Sequence, residues 1–505
     1  MRIEIMDTTL RDGEQTSGVA FTPAEKLNMA KIFLEEAKID RVEVASAKVS
    51  EGEFKAVKRI TEWAAKNNCL DRVEVLGFID GNQSIDWIVS SGAKVVNMLC
   101  KGSMKHLKGQ LRKTPNEHIA DIKATLHYAT SQGLKANIYL EDWSNGMRNS
   151  RDYVFCLLDA LIDEPFQRFM LPDTLGILNP DETYEFCKMV VDRYPGKHFD
   201  FHAHNDYDLA NANVLAAVKT GIKGIHTTVN GLGERSGNAA LSSVIAVLKD
   251  HCNIELGVNE TKINSISKLV ESFSGIRIPA NKPIIGENVF TQTCGVHADG
   301  DSKEKLYFND LLPERFGRVR KYALGKTAGK SNIMQNLKEL GIELDPEVMK
   351  QVTKRVIELG DRKENVTTDD LPYIISDILN SEVVEQKIKI RNYSLSLTEG
   401  LKPVASVSIE VNKKVYRETA TGDGQYDAFM KAVQKIYKGL KKKLPKLIDY
   451  VVTIPPGGRT DALVETIITW DNSREFKTRG LDSDQTVAAI QATLKMLNIV
   501  ENEKV

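Results

Sequence analysis

Nothing in this 505-residue sequence approaches the roughly 18 consecutive apolar residues of a membrane span. No charge excess exists either: 68 Lys+Arg against 69 Asp+Glu leave a formal net charge of -1. That balance argues against a long basic nucleic-acid surface and against an acidic solvating tail. The six cysteines (69, 100, 156, 187, 252 and 294) never form a CxxC pair, so neither a zinc ribbon nor a disulfide framework is expected. The opening Met-Arg-Ile-Glu-Ile-Met-Asp alternates like a strand, with no signal-peptide apolar block after it. With 42% hydrophobic residues the chain carries enough apolar side chain for packed cores. The expectation is a soluble cytoplasmic enzyme of roughly three domains that binds neither nucleic acid nor membrane.

What is present is a repeated phrase. Through the first 250 residues a short β-branched run, a polar loop and an amphipathic helix recur. The runs fall at 2–7, 41–45, 72–77, 94–99, 135–140, 167–171, 199–204 and 223–229. Thr22-Pro-Ala-Glu25 and Thr114-Pro-Asn-Glu117 read as capping boxes with proline at the first helical position, and Asn179-Pro-Asp-Glu182 resembles them. Eight strand–helix units over this length predict an α/β fold, a (β/α)8 TIM barrel; a doubly wound open sheet usually has fewer strands.

In such a barrel the chemistry gathers where strands end. Asp7, Arg11 and Asp12 follow the first run, Glu141 the fifth, Thr174 the sixth and His202-Ala-His204 the seventh; Gly231–Asn238 follows the eighth. Two histidines at period two share one face. Barrel closure makes strands seven, eight and one neighbours, so His202, His204, Asp12 and Asn238 can meet. Two imidazoles, a carboxylate and an amide oxygen suit Mg²⁺, Mn²⁺ or Zn²⁺. Arg11 beside that set either stabilises an oxygen gaining negative charge or is a structural partner of Asp7 or Asp12. Two apparent phosphate motifs fail. Gly325–Ser331 is one residue short of a P-loop, and Gly231-Leu-Gly-Glu-Arg-Ser lacks the third glycine of a dinucleotide fingerprint.

Past residue 275 the phrase breaks. Residues 276–332 read as a Gly-, Pro- and Lys-rich linker subdomain, 333–388 as a helical linker subdomain, and 389–505 as a C-terminal α+β domain with an internal repeat, following a barrel at 1–275. The repeated module is read as a ligand-sensing, regulatory domain or as a dimerisation domain.

Four motifs carry a resemblance: Asp7–Gln15, His202-Ala-His-Asn-Asp206, Asn230–Asn238 and Gly295-Val-His-Ala-Asp-Gly300. Together they resemble the acyl-CoA Claisen-condensing synthases (isopropylmalate, citramalate and homocitrate synthases), relatives of HMG-CoA lyase. The resemblance implies a divalent metal on Asp12, His202, His204 and Asn238, acetyl-CoA as co-substrate, and Arg11 on the keto oxygen of a 2-oxo acid. It implies that Glu141 and Thr174 position that acid and that Leu76, Leu99 and Tyr139 line its side-chain pocket, unless these three are ordinary barrel core. His297, with Asp299 and Tyr307, would handle the acetyl proton, Glu234 being a second candidate.

Tyr139-Leu-Glu141 leans toward citramalate synthase and pyruvate, with a branched-chain amino acid such as isoleucine as effector and a homodimer as assembly. Isopropylmalate synthase acting on 2-oxoisovalerate is the alternative, and a catalytically silent metabolite sensor a remote third. Glu234-Arg235, where the lyase has a cysteine, argues against lyase activity.

Overall fold

Each early run is short and rich in apolar residues, most of them β-branched or aromatic, and in the computed structural model all eight become strands. The structure describes residues 2–361, 366–379, 387–453 and 464–502. Strands β1 (Glu4–Asp7), β2 (Arg41–Ser46), β3 (Val73–Phe78), β4 (Val95–Lys101), β5 (Lys135–Glu141), β6 (Phe166–Asp173), β7 (Phe199–Ala203) and β8 (Gly224–Thr227) form a closed barrel in chain order. Closure is parallel, with Met6 of β1 opposite His226 of β8. The three expected caps are in place, Thr22, Thr114 and Asn179 each exchanging hydrogen bonds with the glutamate three residues on.

The helices bury one face against the barrel. In Glu51–Lys66, Ala56, Val57, Ile60 and Ala64 are buried at helical spacing. After Thr22, Ala30, Phe33 and Leu34 are buried and Leu27 is half-buried against the same core, but Lys26 is buried too, which periodicity assigns to no core. Inside the barrel the strands carry polar side chains at alternate positions: Arg41, Glu43, Glu74, Asn97, Asn137 and Asp200 are all buried. Such an interior departs from the layers of branched aliphatics usual in this fold.

Residues up to Phe290 and Phe308–Arg320 make one compact unit; Thr291–Tyr307 and the chain from Lys321 onward make a second. The expected linker segment 276–332 is thus shared between the two. In the second unit β9 (Thr291–Gln292) pairs in parallel with β10 (Lys321–Tyr322). Helices Lys330–Glu339, Pro346–Asp361 and Leu371–Leu379 gather Ile333, Leu337, Val352, Val356 and Leu371 into a core. Residues 362–365 and 380–386 of the expected helical segment, and 454–463 of the second repeat, lie outside the described residues.

The C-terminal repeat is two βββα halves. β11 (Ile388–Ser396), β12 (Val404–Val411) and β13 (Lys414–Thr421) form an antiparallel sheet followed by helix Gln425–Gly439. β14 (Lys446–Thr453), β15 (Val464–Asp471) and β16 (Glu475–Asp482) repeat it before helix Gln485–Asn502. Even the irregularity repeats, since the first strand of each half shifts register, at Ile390/Asn392 and at Leu447/Asp449. Phe429, Tyr437, Trp470 and Met496 share one core across both halves.

No helix among the described residues is long and apolar enough to cross a membrane. All six cysteines are free thiols.

Candidate metal centre and active site

Asp12 and Arg11 sit on a tight turn directly after β1, where the N–H groups of Arg11, Asp12 and Gly13 all donate to the Thr8 carbonyl. The turn is tied to the loop after β8 by a reciprocal pair: the Gly233 N–H donates to Thr16 Oγ1 (2.8 Å), whose hydroxyl donates to the Gly233 carbonyl (3.1 Å). His202 is the penultimate residue of β7, and His204, two residues on, bridges the backbone of Asn238. The glycines of that last loop are required by close approach. A Cβ on Gly237 would lie 1.9 Å from the Gly231 carbonyl oxygen, and one on Gly233 2.1 Å from Asn238 Nδ2.

These loops bring three of the four expected ligands together. One ligand atom from each of Asp12, His202 and His204 lies within 4.8 Å of the others, and all three residues are buried. His202 Nε2 is 3.2 Å and His204 Nε2 3.9 Å from Asp12 Oδ2. Asn238 donates from Nδ2 to the Leu232 carbonyl (3.0 Å), which aims its amide. Its Oδ1, like Asp12 Oδ1, is buried with no hydrogen-bond partner among the described residues. Buried oxygens are rarely left unpaired.

Charge states match. Burial would push the Asp12 carboxyl up, but Arg11 and the two imidazoles hold it well below the usual carboxylate range. Burial pushes His204 down to about 4 against the pull of Asp12, which leaves a neutral imidazole. An anionic carboxylate, a neutral imidazole and an unpartnered amide oxygen form the hard N/O set that a divalent cation takes.

Arg11 is anchored on both sides. Its Nε donates to Glu43 (2.5 Å) and its Nη1 to Asp12 (3.1 Å), so it is an ion-pair partner of Asp12 and not of Asp7. Its guanidinium carbon stands 5.8 Å from the centre of the Tyr139 ring, which also meets His226 at 5.4 Å and His202 at 6.1 Å edge-on. Leu76, Tyr139, Met6 and Met170 form a small apolar cluster with Leu99 packed against it, separate from the main barrel core. At the rim Glu141 is ion-paired with Lys101 and has His106 Nδ1 at 4.0 Å. Thr174 Oγ1 accepts from the Asp142 N–H (2.9 Å). Glu234 is more than half exposed and pairs with Arg235 (3.0 Å), which also reaches Asp206 and the Thr174 carbonyl.

His297, Asp299 and Tyr307 belong to the second unit. There the His297 and Tyr307 rings lie 4.2 Å apart, and Asp299 pairs with Lys303 (2.7 Å) and accepts from Ser331 (3.3 Å). Gly295 packs on Gly329, where a Cβ would meet backbone at 2.7 Å. The failed phosphate loop thus serves as backbone packing under the Gly295–Gly300 motif.

The HMGL-like family profile matches residues 2–270, a homocitrate synthase post-HMGL domain-like profile 284–364, and the LeuA allosteric (dimerisation) domain 365–501. An (R)-citramalate synthase of Methanocaldococcus jannaschii is 32% identical over 505 residues, covering 99% of this chain and 100% of its own. The chain belongs to the HMGL-like family of citramalate and 2-isopropylmalate synthases. A 2-isopropylmalate synthase of the same organism is also 32% identical, covering 98% of this chain and 94% of its own. A provisionally named (R)-citramalate synthase of Methanopyrus kandleri is 34% identical over 463 residues, 91% of this chain and 88% of its own. Membership makes the chain an acyl-CoA-dependent acyltransferase. Overall identity does not separate the two branches of the family, so the choice falls to the pocket.

Sequence reasoning missed several residues of this synthase's site. Glu43 holds Arg11, Asn97 Nδ2 donates to Glu43 (2.7 Å), and Lys101 holds Glu141. Lys26, fully buried, donates to the Leu10 carbonyl (2.8 Å) and pairs with Glu14 and Glu53 (2.6 Å each), clamping the turn that carries Arg11 and Asp12. A signal existed for Glu43 and Asn97. A charged or amide residue in the middle of a strand run is costly to bury unless paired, and so marks a network.

Proposed function

We propose that this synthase condenses acetyl-CoA with pyruvate to give citramalate and CoA. The observation that carries the reading is the apolar cluster of Leu76, Leu99, Tyr139, Met6 and Met170 beside Arg11 and His202, against which a methyl group would pack. Asp12, His202, His204 and Asn238 would hold a divalent ion, which when bound supplies Lewis acidity toward the keto acid.

The chain's own groups do the rest. Arg11, with Nε and Nη1 already committed to Glu43 and Asp12, presents a fixed guanidinium to the keto oxygen as that oxygen gains negative charge. Glu141 and Thr174 position the acid at the rim. We assign removal of the acetyl methyl proton to His297, with Tyr307 and Asp299 around it, and keep Glu234 as second candidate. The resulting carbanion forms the new C–C bond to the 2-oxo carbon. Water then breaks the thioester C–S bond, releasing CoA as the thiol and a second carboxylate. A thioester α-proton is too weakly acidic for an imidazole alone, so stabilisation of the enolate is part of the assignment.

CoA release measured across a panel of 2-oxo acids tests the reading. The expected result is highest kcat/KM with pyruvate; a higher value with 2-oxoisovalerate would assign the chain to 2-isopropylmalate synthesis instead. The βββα repeat is proposed to bind a branched-chain amino acid, isoleucine, in a homodimer. Isoleucine titrated into the same assay should lower CoA release, and a flat response would remove that assignment.

A further inference from the structure

The pocket's largest side chain is held by a polar chain that the reaction scheme above does not use. The Tyr139 hydroxyl lies 3.0 Å from His226 Nδ1, and His226 Nε2 lies 3.0 Å from Asp200 Oδ2. The same Asp200 oxygen receives Arg41 Nη2 at 2.6 Å, while Arg41 Nη1 reaches Glu74 (3.0 Å). Asn137 Nδ2 donates to Glu74 and to Asn97 Oδ1 (2.8 Å), and Asn97 leads through Glu43 back to Arg11. A polar path thus runs from the residue proposed to hold the keto oxygen, through the barrel, to the residue proposed to hold the methyl group.

Donor and acceptor arithmetic fixes the direction at the Tyr139 end. A carboxylate only accepts, so His226 carries its proton on Nε2 toward Asp200. Asp200 already has Arg41 on the same oxygen and His198 Nε2 at 2.9 Å from its other one, and the His226 side chain is wholly buried, where an uncharged ring is the favoured form. A neutral imidazole with Nε2–H has an accepting Nδ1, so the Tyr139 O–H donates to it. The hydroxyl proton is therefore spent inside the barrel, and Tyr139 offers a ligand only its ring and an accepting oxygen.

Resting on the 2-oxo acid reading above, we propose that His226 is a positioning and specificity-determining residue. By taking the Tyr139 hydroxyl proton and fixing the ring, it makes the pocket hostile to 2-oxo acids whose tail ends in a carboxylate or another acceptor. Such a tail would face an oxygen lone pair with no donor to meet it, a mismatch of the kind that polar sites punish strongly.

A double-mutant cycle on the full-length enzyme tests this, using His226→Leu and Tyr139→Phe. CoA release is measured with the best-used 2-oxo acid of wild type and with oxaloacetate, which adds a carboxylate to pyruvate's skeleton. His226→Leu frees the hydroxyl proton. The ratio of kcat/KM for oxaloacetate over the preferred acid should rise about tenfold, through KM of the acids, with KM for acetyl-CoA unchanged. In the Tyr139→Phe background the same substitution should leave the ratio unmoved, because no hydroxyl remains to free. His226→Gln, whose amide can donate to Asp200 and accept from Tyr139, should return the ratio to within about twofold of wild type.

Equal effects of His226→Leu with and without the hydroxyl would show a merely structural role and overturn the proposal. So would an unchanged ratio in a variant with a wild-type circular dichroism spectrum. Loss of folding in His226→Leu moves the decision to His226→Gln, where an altered ratio overturns it. A wild-type preference for 2-oxoisovalerate would remove the pyruvate assignment while leaving the cycle readable on that acid.

Discussion

Leu99→Ala isolates the pocket with the least collateral damage. Leu99 sits on β4 opposite Tyr139 of β5 and packs against Leu76, Tyr139, Met6 and Met170 without being fully buried. Unlike Tyr139 it makes no side-chain hydrogen bond, so its truncation orphans no polar atom. The change removes three carbons, whereas 2-oxoisovalerate exceeds pyruvate by two, so the space released matches the extra bulk. A methylene accommodated in a hydrophobic pocket changes kcat/KM by about 10-fold or more. The ratio of kcat/KM for 2-oxoisovalerate over pyruvate should therefore rise by about 10- to 100-fold. Pyruvate itself should lose KM more than kcat, since the lost contacts hold its methyl group in ground and transition states alike. A part-buried leucine costs about 2 kcal/mol on truncation, which leaves a folded protein to assay. The assay is thiol release followed with a chromogenic disulfide at saturating acetyl-CoA. A ratio within about twofold of wild type, in a variant that still melts in one cooperative transition, would refute the pocket and make Leu99 ordinary barrel packing.

The other predictions address the metal, a buried acid and a buried lysine. His202→Ala should lower kcat by about 100-fold or more, and added Mn²⁺ should restore chelator-treated wild type but not the variant; near-normal turnover would remove His202 from the ligand set. Asp7 is fully enclosed, and burial lifts its carboxyl from the usual 3.8 to about 7, with Oδ2 unpartnered among the described residues. Because the folded-state value is raised, the stability it contributes is whole below about pH 4 and lost as pH climbs toward 7. Asp7→Asn should gain on wild type across that window, by at most about 4 kcal/mol, in chemical denaturation; parallel pH profiles would refute the burial argument. Lys26→Met removes an enclosed ammonium and leaves Glu14 and Glu53 without it. It should cost about 3–5 kcal/mol and depress activity through the Arg11–Asp12 turn; an unchanged denaturation midpoint would show the lysine to be dispensable.

The barrel was legible because its signal is local and repeated. Eight short apolar runs, each closed by a polar loop and three reopened by a capped helix, admit few topologies once parallel crossovers are right-handed. The same counting located Asp12, His202 and His204, since strand ends of a closed barrel face one mouth. Lys26 escaped for a plain reason. A lysine on a helix flank looks solvated, and only Glu14 and the Leu10 carbonyl from the turn after β1, with Glu53 from the helix Glu51–Lys66, make its burial tolerable. Glu43, Asn97 and His226 escaped similarly, being hydrogen-bonded to residues 32 to 87 positions away.

From the residue string alone came the strand count, the caps, the mixed nitrogen and oxygen donor set, and the twofold βββα module, because each rests on spacing along the chain. Tertiary structure alone decided which partners neutralise the buried charges, which residue the Tyr139 hydroxyl meets, and that Met6 and Met170 join an apolar cluster apart from the main core. Those outcomes depend on distances between strands whose separation in sequence carries no information about how close their side chains come.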